Sequence, residues 1–321
     1  MKKFLNFGLS LYVLVAIVCI ILLNYLFTNY SKNLRVLSPL PDFLTYFKNN
    51  QVATINLWFP SFSLFGININ EPRISAKSAF IYDLSSEKTI YTKNPKEKLP
   101  MASLTKIMTA IVALENKKTE DNYVVSKNDL VGEDVMGLSE NEVLNLRELL
   151  YGLLLPSGND SAETLASNFS GGRVAFIKAM NDKTKSLALE DTNFTNPTGL
   201  EGDGSQYTTA YDLLVITKYA LSKFPTFNDV VSTFDYNIFA TATHKAFYLE
   251  NETNLLTSYP GVKGVKTGYT PEAGLCLVTF LDYKGHKILG VILNSDNRRG
   301  DMKELLDYAL KIQGIKPPPH I

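Results

Sequence analysis

The chain has 321 residues, of which 45% are hydrophobic and 20% charged, proportions typical of a folded globular protein rather than a disordered one. Lysine plus arginine and aspartate plus glutamate number 32 each, which argues against the basic surface expected of a nucleic-acid-binding protein. There are two cysteines, and Cys19 lies in an apolar run far from Cys276, so the sequence predicts no disulfide framework.

The N-terminal residues predict a membrane anchor. No charged side chain occurs between Lys3 and Lys32, and the apolar run is long enough to cross about 30 Å of hydrocarbon as a helix. Because Lys2 and Lys3 precede the run, the positive-inside rule places residues 1–7 in the cytoplasm. We therefore predict a transmembrane helix over 8–28, with the rest of the chain outside the cell membrane. A cleaved signal peptide is the alternative, although no small-residue cleavage site follows the run.

The pattern of secondary structure becomes regular only after this region. Residues 29–73 have no sustained periodicity and are interpreted as a stalk or linker. Two β-rich runs, Ser78–Asp83 and Lys88–Thr92, are separated by a short polar turn and predict a hairpin. Residues 101–114 have the 3.6-residue apolar period of a buried helix.

The middle of the chain predicts further helices. Asn145 and Glu148 have the spacing of a capping box that opens a helix over 146–155. Residues 156–158 end that helix, and another resumes near Asp160, whose side chain is predicted to cap it.

The last third of the chain returns to strands. A loop over 194–206 leads to a helix that Thr209 caps and that runs to about Ser222. Two strands, 275–281 and 287–293, precede a final helix over 302–311. The order of strands, helices, strands and helix predicts an α/β (α+β) fold, whose antiparallel sheet is built from both chain ends around a helical insertion.

The first candidate for chemistry is Ser103-Leu104-Thr105-Lys106. A serine and a lysine three residues apart lie on one face of a helix, so the amine can accept the proton of the hydroxyl. Backbone N–H groups at the start of that helix can bind a developing oxyanion. The pattern is weak by itself, because Ser85-Ser86-Glu87-Lys88 matches it too, and Ser103 could be an ordinary helix cap.

Two further patterns gain weight from their positions. Ser157-Gly158-Asn159 is a common combination, but it lies in a tight break between two apolar helices, where a polar loop can project into a cleft. Lys266-Thr267-Gly268 occurs once. On an edge strand it would offer a cation, a hydroxyl and an unobstructed backbone to an extended substrate with a terminal carboxylate. The alternatives are a helix terminus and a β-turn.

These three motifs, in this order, are the signature of penicillin-binding proteins and class A β-lactamases. The sequence resembles that superfamily, and specifically the low-molecular-mass D-alanyl-D-alanine carboxypeptidases, over about residues 74–312. The resemblance extends around the three motifs and includes Asn196-Pro197-Thr198-Gly199-Leu200.

The resemblance implies a β-lactamase/transpeptidase-like fold, with a five-stranded antiparallel sheet, flanking helices and an all-helical subdomain. A catalytic domain over 74–312 would be followed by a tail over 313–321. The N-terminal helix is expected to replace the C-terminal anchor that many family members carry. No cofactor or metal is implied.

The resemblance also assigns roles to residues. Ser103 would attack the peptide bond between two D-alanines of a peptidoglycan stem peptide, and Lys106 would be the general base. β-Lactams would act as inhibitors. The other catalytic and substrate-binding residues it implies are Ser157, Asn159, Lys266, Thr267, Gly268, Tyr269 and Arg298. The arginine matches one that the family often adds after the last strand, although Arg298 and Arg299 could also be a solvated charge pair.

Several alternatives remain open. A DD-transpeptidase or endopeptidase would share every motif. A β-lactamase is less favoured, because the class A Glu-x-x-Leu-Asn pattern is absent. A non-catalytic cell-wall-binding protein would not need Ser103 and Lys106. The three histidines, His244, His286 and His320, lack metal-ligand spacing and are predicted to lie at the surface.

Overall fold

The computed structural model describes residues 70–253 and 255–320, together with Leu22. The predicted membrane span over 8–28, apart from Leu22, and the predicted stalk, apart from residues 70–73, lie outside this part of the chain. Within the described residues, no helix is both long enough and apolar enough to traverse a lipid bilayer.

A five-stranded antiparallel sheet forms the centre of the fold, in the order β2-β1-β9-β8-β7. Because β1 pairs with β9, strands that are far apart in sequence belong to one sheet, as predicted. The edge strand β7 carries the Lys266-Thr267-Gly268 motif. The five strands are β1 (Ser78–Asp83), β2 (Lys88–Lys93), β7 (Val262–Thr270), β8 (Gly274–Tyr283) and β9 (His286–Ser295).

The segment between β2 and β7 is mostly helical. The predicted helices are present, but this segment also contains two short two-stranded sheets, β3–β4 and β5–β6. Strands of two to four residues give too little alternation to be read from sequence. The helices are α1 (Thr105–Glu115), α2 (Leu146–Leu154), α3 (Asn159–Ser167), α4 (Gly172–Ser186), α5 (Ala210–Lys223), α6 (Pro225–Val231) and the short α7 (Leu255–Ser258); the strands are β3 (Tyr123–Val124), β4 (Val143–Leu144), β5 (Asp235–Ile238) and β6 (Phe247–Glu250).

The two faces of the central sheet bury different parts of the chain. Side chains alternate along β9, so that Leu289 and Val291 contribute to the core with the inserted helices. Ile288 and Ile292 face the C-terminal helix α8 (Arg298–Ile312) instead. This alternation follows from the two-residue period of a strand, and it makes the sheet a rigid layer between helices.

The capping box at the start of α2 is confirmed, whereas the predicted cap at Asp160 is wrong. Asn145 and Glu148 exchange side-chain-to-backbone hydrogen bonds. The N-cap of α3 is Gly158. The buried carboxylate of Asp160 accepts hydrogen bonds instead from the backbone N–H groups of Met136, Gly137 and Leu138, at 2.9–3.0 Å. A carboxylate withdrawn from water needs several donors, and this loop supplies them.

The prediction of surface histidines is wrong for His244. This side chain is buried, with Nδ1 2.8 Å from the carbonyl oxygen of Lys245 and Nε2 3.5 Å from a Glu148 oxygen. His286 and His320 are half-buried. The single Cys276 of the described region is a buried free thiol on β8.

Candidate active site

The three sequence motifs meet at one cavity of about 320 Å³. Ser103 enters from the start of α1, Ser157 from the break between α2 and α3, and Thr267 from the edge strand β7. The structure therefore brings together residues more than 160 positions apart. The lining residues are Ser103, Asp134, Ser157, Glu252, Thr267, Gly268, Tyr269 and Arg298.

Ser103 lies in a 3₁₀ turn, Ala102–Leu104, that leads directly into α1. The preceding Ala102 has a positive φ of 48°, a left-handed backbone conformation that residues other than glycine rarely adopt. β7 passes close to this turn, because a Cβ at Gly268 would lie 3.2 Å from the Ser103 nitrogen. The glycine of the third motif thus allows the edge strand to approach the serine.

Lys106 is fully buried, and its amine contacts three oxygens. Nζ lies 2.9 Å from Ser103 Oγ, 2.7 Å from Asn159 Oδ1 and 2.9 Å from the carbonyl oxygen of Thr198. A neutral amine has two N–H donors and one lone pair. It can therefore donate to the amide and the carbonyl, which have no proton to offer, and accept the Ser103 hydroxyl proton.

The surroundings of Lys106 favour this neutral form. Burial lowers the pKa of Lys106 well below the ordinary lysine range, and the positive charge of Lys266 lowers this pKa further. Desolvation penalises the charged form of an amine, and a neighbouring cation acts in the same direction. Of these two causes, burial is the larger.

Ser157 and Asn159 come from the break between α2 and the start of α3. Ser157 has a φ of 64°, and its buried Oγ has no hydrogen-bond partner among the described residues. The Asn159 backbone donates to the carbonyl oxygen of Asp134 at 2.7 Å, while its side chain holds Lys106. A buried, unpaired hydroxyl that lines a cavity is available to a ligand.

Lys266 and Thr267 present a cation and a hydroxyl from β7. Lys266 Nζ is buried without a hydrogen bond in the described structure, and burial lowers its pKa to about 8. Thr267 and the half-buried Arg298 both line the cavity, and Arg298 Nη1 donates to the Gly268 carbonyl oxygen at 2.8 Å. Tyr269 continues the strand with its side chain largely exposed.

A turn that the sequence indicates only through the family resemblance supplies one of the oxygens that contact Lys106. The Asn196 side chain accepts hydrogen bonds from the backbone N–H groups of Thr198 and Gly199, at 3.2 and 2.7 Å, and so shapes the turn. The Thr198 carbonyl then points at Lys106. Gly199 has a φ of 92°, and a Cβ there would lie 2.0 Å from the Ala102 carbonyl oxygen. The turn thus requires glycine at this position for two reasons, the positive φ and the lack of space for a Cβ.

Two acidic residues of the cavity were missed by sequence reasoning, Asp134 and Glu252. Neither belongs to a motif, and each comes from an irregular segment that reaches the site only through the fold. Their one available signal, a carboxylate in a loop, is shared by many residues of this chain.

A serine hydroxyl beside a buried lysine, in a mixed α/β fold, is characteristic of the penicillin-binding-protein class. Residues 66–297 match the family model for D-alanyl-D-alanine carboxypeptidase. The chain belongs to the D-alanyl-D-alanine carboxypeptidase family, as the resemblance in its motifs predicts.

Relatives and solved structures agree with this membership. The chain is 34% identical to the D-alanyl-D-alanine carboxypeptidase DacF of Bacillus subtilis strain 168, over 76% of its own length and 64% of the relative's. It is 32% identical to the D-alanyl-D-alanine carboxypeptidase of Streptomyces strain K15, over 76% and 90%. It thus spans less than two thirds of the Bacillus relative.

The structural neighbours have the same fold. The crystal structure of the Streptomyces K15 DD-transpeptidase superposes with a TM-score of 0.71 at 31% identity, covering 76% of this chain and 100% of that one. Penicillin-binding protein D2 of Listeria monocytogenes, in its cefotaxime-bound form, gives 0.65 at 26% identity, with 75% and 99% covered.

We predict that Gly199→Ala destabilises the protein more than Gly202→Ala. Both glycines have positive φ, at 92° and 106°, but a Cβ at Gly202 would have no neighbour within 4 Å among the residues that the structure describes. The pair therefore shares the conformational penalty, and the steric clash with Ala102 is the difference. Overpacking of this kind typically costs about 1–3 kcal/mol. Urea unfolding of the two variants measures the difference, and equal free energies of unfolding would contradict the close approach.

Proposed function

We propose that this protein is a serine-type D-alanyl-D-alanine carboxypeptidase that acts on peptidoglycan stem peptides through an acyl-enzyme at Ser103. The observation that carries the proposal is the buried Lys106 amine, 2.9 Å from Ser103 Oγ and fixed by Asn159 and Thr198. Membership of the carboxypeptidase family supports the choice of substrate.

The first half of the reaction forms the acyl-enzyme. Ser103 Oγ attacks the carbonyl carbon between the two D-alanines as its proton passes to the neutral Lys106 amine. The oxyanion is stabilised by the backbone N–H groups of Ser103 and Tyr269, and such preorganised donors typically contribute about 10²–10³ in rate each. The C–N bond then breaks, and the departing D-alanine amine takes up the proton.

The second half releases the shortened peptide. Lys106, neutral again, takes a proton from an incoming water, whose oxygen attacks the ester carbonyl. The Ser103 C–O bond breaks and the serine regains its proton. Ser157, whose buried Oγ has no hydrogen-bond partner in the described part of the chain, relays the proton to the leaving amine in the first half. Asn159 holds both the lysine and the substrate amide, and Lys266 favours the neutral form of Lys106.

The strand β7 would bind the C-terminal D-alanine. Its backbone lies at an open sheet edge, so an extended peptide can add to it. Thr267 supplies a hydroxyl to the substrate carboxylate, Gly268 allows the peptide to approach, and Lys266 and Arg298 supply positive charge. Both Thr267 and Arg298 line the same cavity as Ser103.

A DD-transpeptidase is the second candidate. The reason is specific, since Streptomyces K15 provides both a sequence relative named as a carboxypeptidase and a structural neighbour named as a DD-transpeptidase. The two reactions share the acyl-enzyme and differ in whether water or an amine resolves it. Incubation with a pentapeptide substrate, followed by quantification of free D-alanine and cross-linked product, distinguishes them.

We predict that Ser103→Ala abolishes covalent labelling by penicillin and that Lys106→Ala folds but loses most acylation. Lys106→Arg should not rescue the reaction, because a guanidinium does not lose its proton at usable pH. Rates of acylation by a labelled penicillin measure this, with Lys263→Arg as a matched exposed control on the same strand as Lys266. Near wild-type acylation by Lys106→Arg would mean that the lysine is a structural cation.

We predict that Arg298→Ala raises KM for a peptide with a free carboxylate more than it slows acylation by an uncharged active ester. The half-buried guanidinium lines the cavity, whereas the neighbouring Arg299 is exposed. Arg299→Ala is therefore the matched control and should leave both substrates unaffected. Equal effects of Arg298→Ala on the two substrates would rule out carboxylate binding.

We further propose that residues 8–28 form a retained transmembrane helix and that the catalytic domain lies outside the cell membrane. The uncharged run after Lys2 and Lys3 supports this orientation, as does a substrate located in the cell wall. A reporter that functions only after export, fused after residue 321, should be active, and activity of a cytoplasmic reporter at the same position would contradict the topology.

A further inference from the structure

The carboxylate of Glu252 reaches the part of the cavity that the proposed function assigns to the carboxylate of the substrate. Glu252 Oε2 accepts a hydrogen bond from Thr267 Oγ1 at 3.2 Å and lies 3.8 Å from Lys266 Nζ. Its side chain is 42% exposed, whereas that of Lys266 is 1% exposed. The carboxylate of Glu252 therefore accepts a hydrogen bond from the same Thr267 hydroxyl that would bind the carboxylate of the substrate.

Hydrogen bonds fix the backbone around Glu252. Its N–H donates to the carbonyl oxygen of Leu155, at the end of α2 and two residues before Ser157. The neighbouring Asn251 side chain donates to the Thr233 carbonyl and accepts from the Thr253 N–H, both at 2.9 Å. The side chain of Glu252 thus reaches Thr267 from a held backbone, and because it is 42% exposed, rotation of the side chain alone can take the carboxylate to solvent.

The charges around the contact fit an anion site that the protein fills by itself. Lys266, Thr267 and Arg298 offer two cations and a hydroxyl donor on one side of the cavity. Glu252 is the carboxylate that satisfies the threonine among the described residues. A substrate carboxylate that binds Thr267 must break this hydrogen bond and come close to a second negative charge.

We propose that Glu252 is a specificity-determining residue that competes with the substrate carboxylate for Thr267 and Lys266. The proposal rests on the proposed carboxypeptidase function. Glu252 occupies the subsite in the free enzyme, and a peptide ending in a carboxylate displaces it toward solvent. Affinity for such peptides is therefore lower than the positive subsite alone would give, and the binding of ligands without a carboxylate is unaffected.

Glu252 has a second effect, on the charge of Lys266. The groups that face Lys266 are Glu252, Asp134 from the loop before β4, Arg298 from α8 and Lys106 from α1. Burial lowers the pKa of Lys266 to about 8, the two carboxylates oppose this shift and Arg298 adds to it. Removing the Glu252 charge lowers the Lys266 pKa further, so the variant loses the charged subsite at a lower pH than the wild type does.

The experiment measures binding in the Ser103→Ala background, where no turnover occurs. The ligands are an N-acyl peptide ending in D-Ala-D-Ala with a free carboxylate, and the same peptide as its C-terminal amide. Glu252→Gln keeps an oxygen that can accept from Thr267 but removes the charge. Glu250→Gln, two residues away on β6 and exposed, is the matched control.

At pH 6, Glu252→Gln should tighten binding of the free acid roughly threefold to fivefold, the range expected for one partly exposed charge pair. Binding of the amide should not change, and Glu250→Gln should change neither. The gain should shrink between pH 7 and pH 9, as Lys266 in the variant loses its proton first.

Unchanged or weaker binding of the free acid by Glu252→Gln would overturn the proposal, and so would equal tightening of acid and amide. Turnover in the Ser103 enzyme separates this result from the proposed function. If Glu252→Gln tightens binding of the free acid while the enzyme releases no D-alanine, the result supports competition by the Glu252 carboxylate and rejects the carboxypeptidase function. Accumulation of acyl-enzyme in Glu252→Gln would assign the residue to water activation and also overturn the proposal.

Discussion

The withdrawal of the Lys106 amine from water, in contact with Ser103, is the constraint on which the rest of the site depends. An exposed lysine would be an ammonium at neutral pH and could not take the serine proton. Full burial, together with the nearby charge of Lys266, lowers the pKa of Lys106 well below the ordinary lysine range and so shifts the amine toward its neutral form. The oxygens of Asn159 and Thr198 then hold the two N–H donors, so the remaining lone pair has one direction available, toward Ser103 Oγ.

Holding an amine in this way requires parts of the chain far from the chemistry. Asp160 binds the loop at residues 136–138, Asn196 shapes the turn that supplies the Thr198 carbonyl, and Gly199 allows that turn to contact Ala102. Ala102 and Ser157 adopt left-handed conformations beside the site, which typically cost roughly 1–3 kcal/mol each. The packed sheet and helices offset that strain and fix the reacting atoms.

Sequence reasoning located the three motifs and most of the elements that carry them, because each leaves a local signal. The capping box at Asn145 and the apolar period of α1 depend on neighbours within a few residues. The wrong predictions concern residues whose environment is not set by their neighbours in the sequence. The local pattern assigns Asp160 to a nearby helix end, although its partners at residues 136–138 lie more than twenty residues earlier. Nothing local marks the burial of His244, so its sequence context predicts a surface position.

The acidic residues of the cavity show the same limit in the site itself. Asp134 and Glu252 have no spacing that connects them to Ser103, and only the closure of the sheet and the inserted helices brings them to one cavity. The same is true of Thr198, whose contribution is a backbone carbonyl and therefore independent of its side chain. A contact made by the backbone, or by a side chain outside any motif, leaves no pattern in one sequence.

The most direct test is a measurement of the protonation state of the Lys106 amine. Lysines can be labelled with ¹⁵N and followed by NMR over a pH titration, with the Lys106→Ala variant used to assign the resonance. Lys106 should lose its proton far below the pH at which exposed lysines do, and a Lys266→Gln change should move the titration of Lys106 upward. A Lys106 amine that titrates together with the exposed lysines would contradict the assignment of the general base.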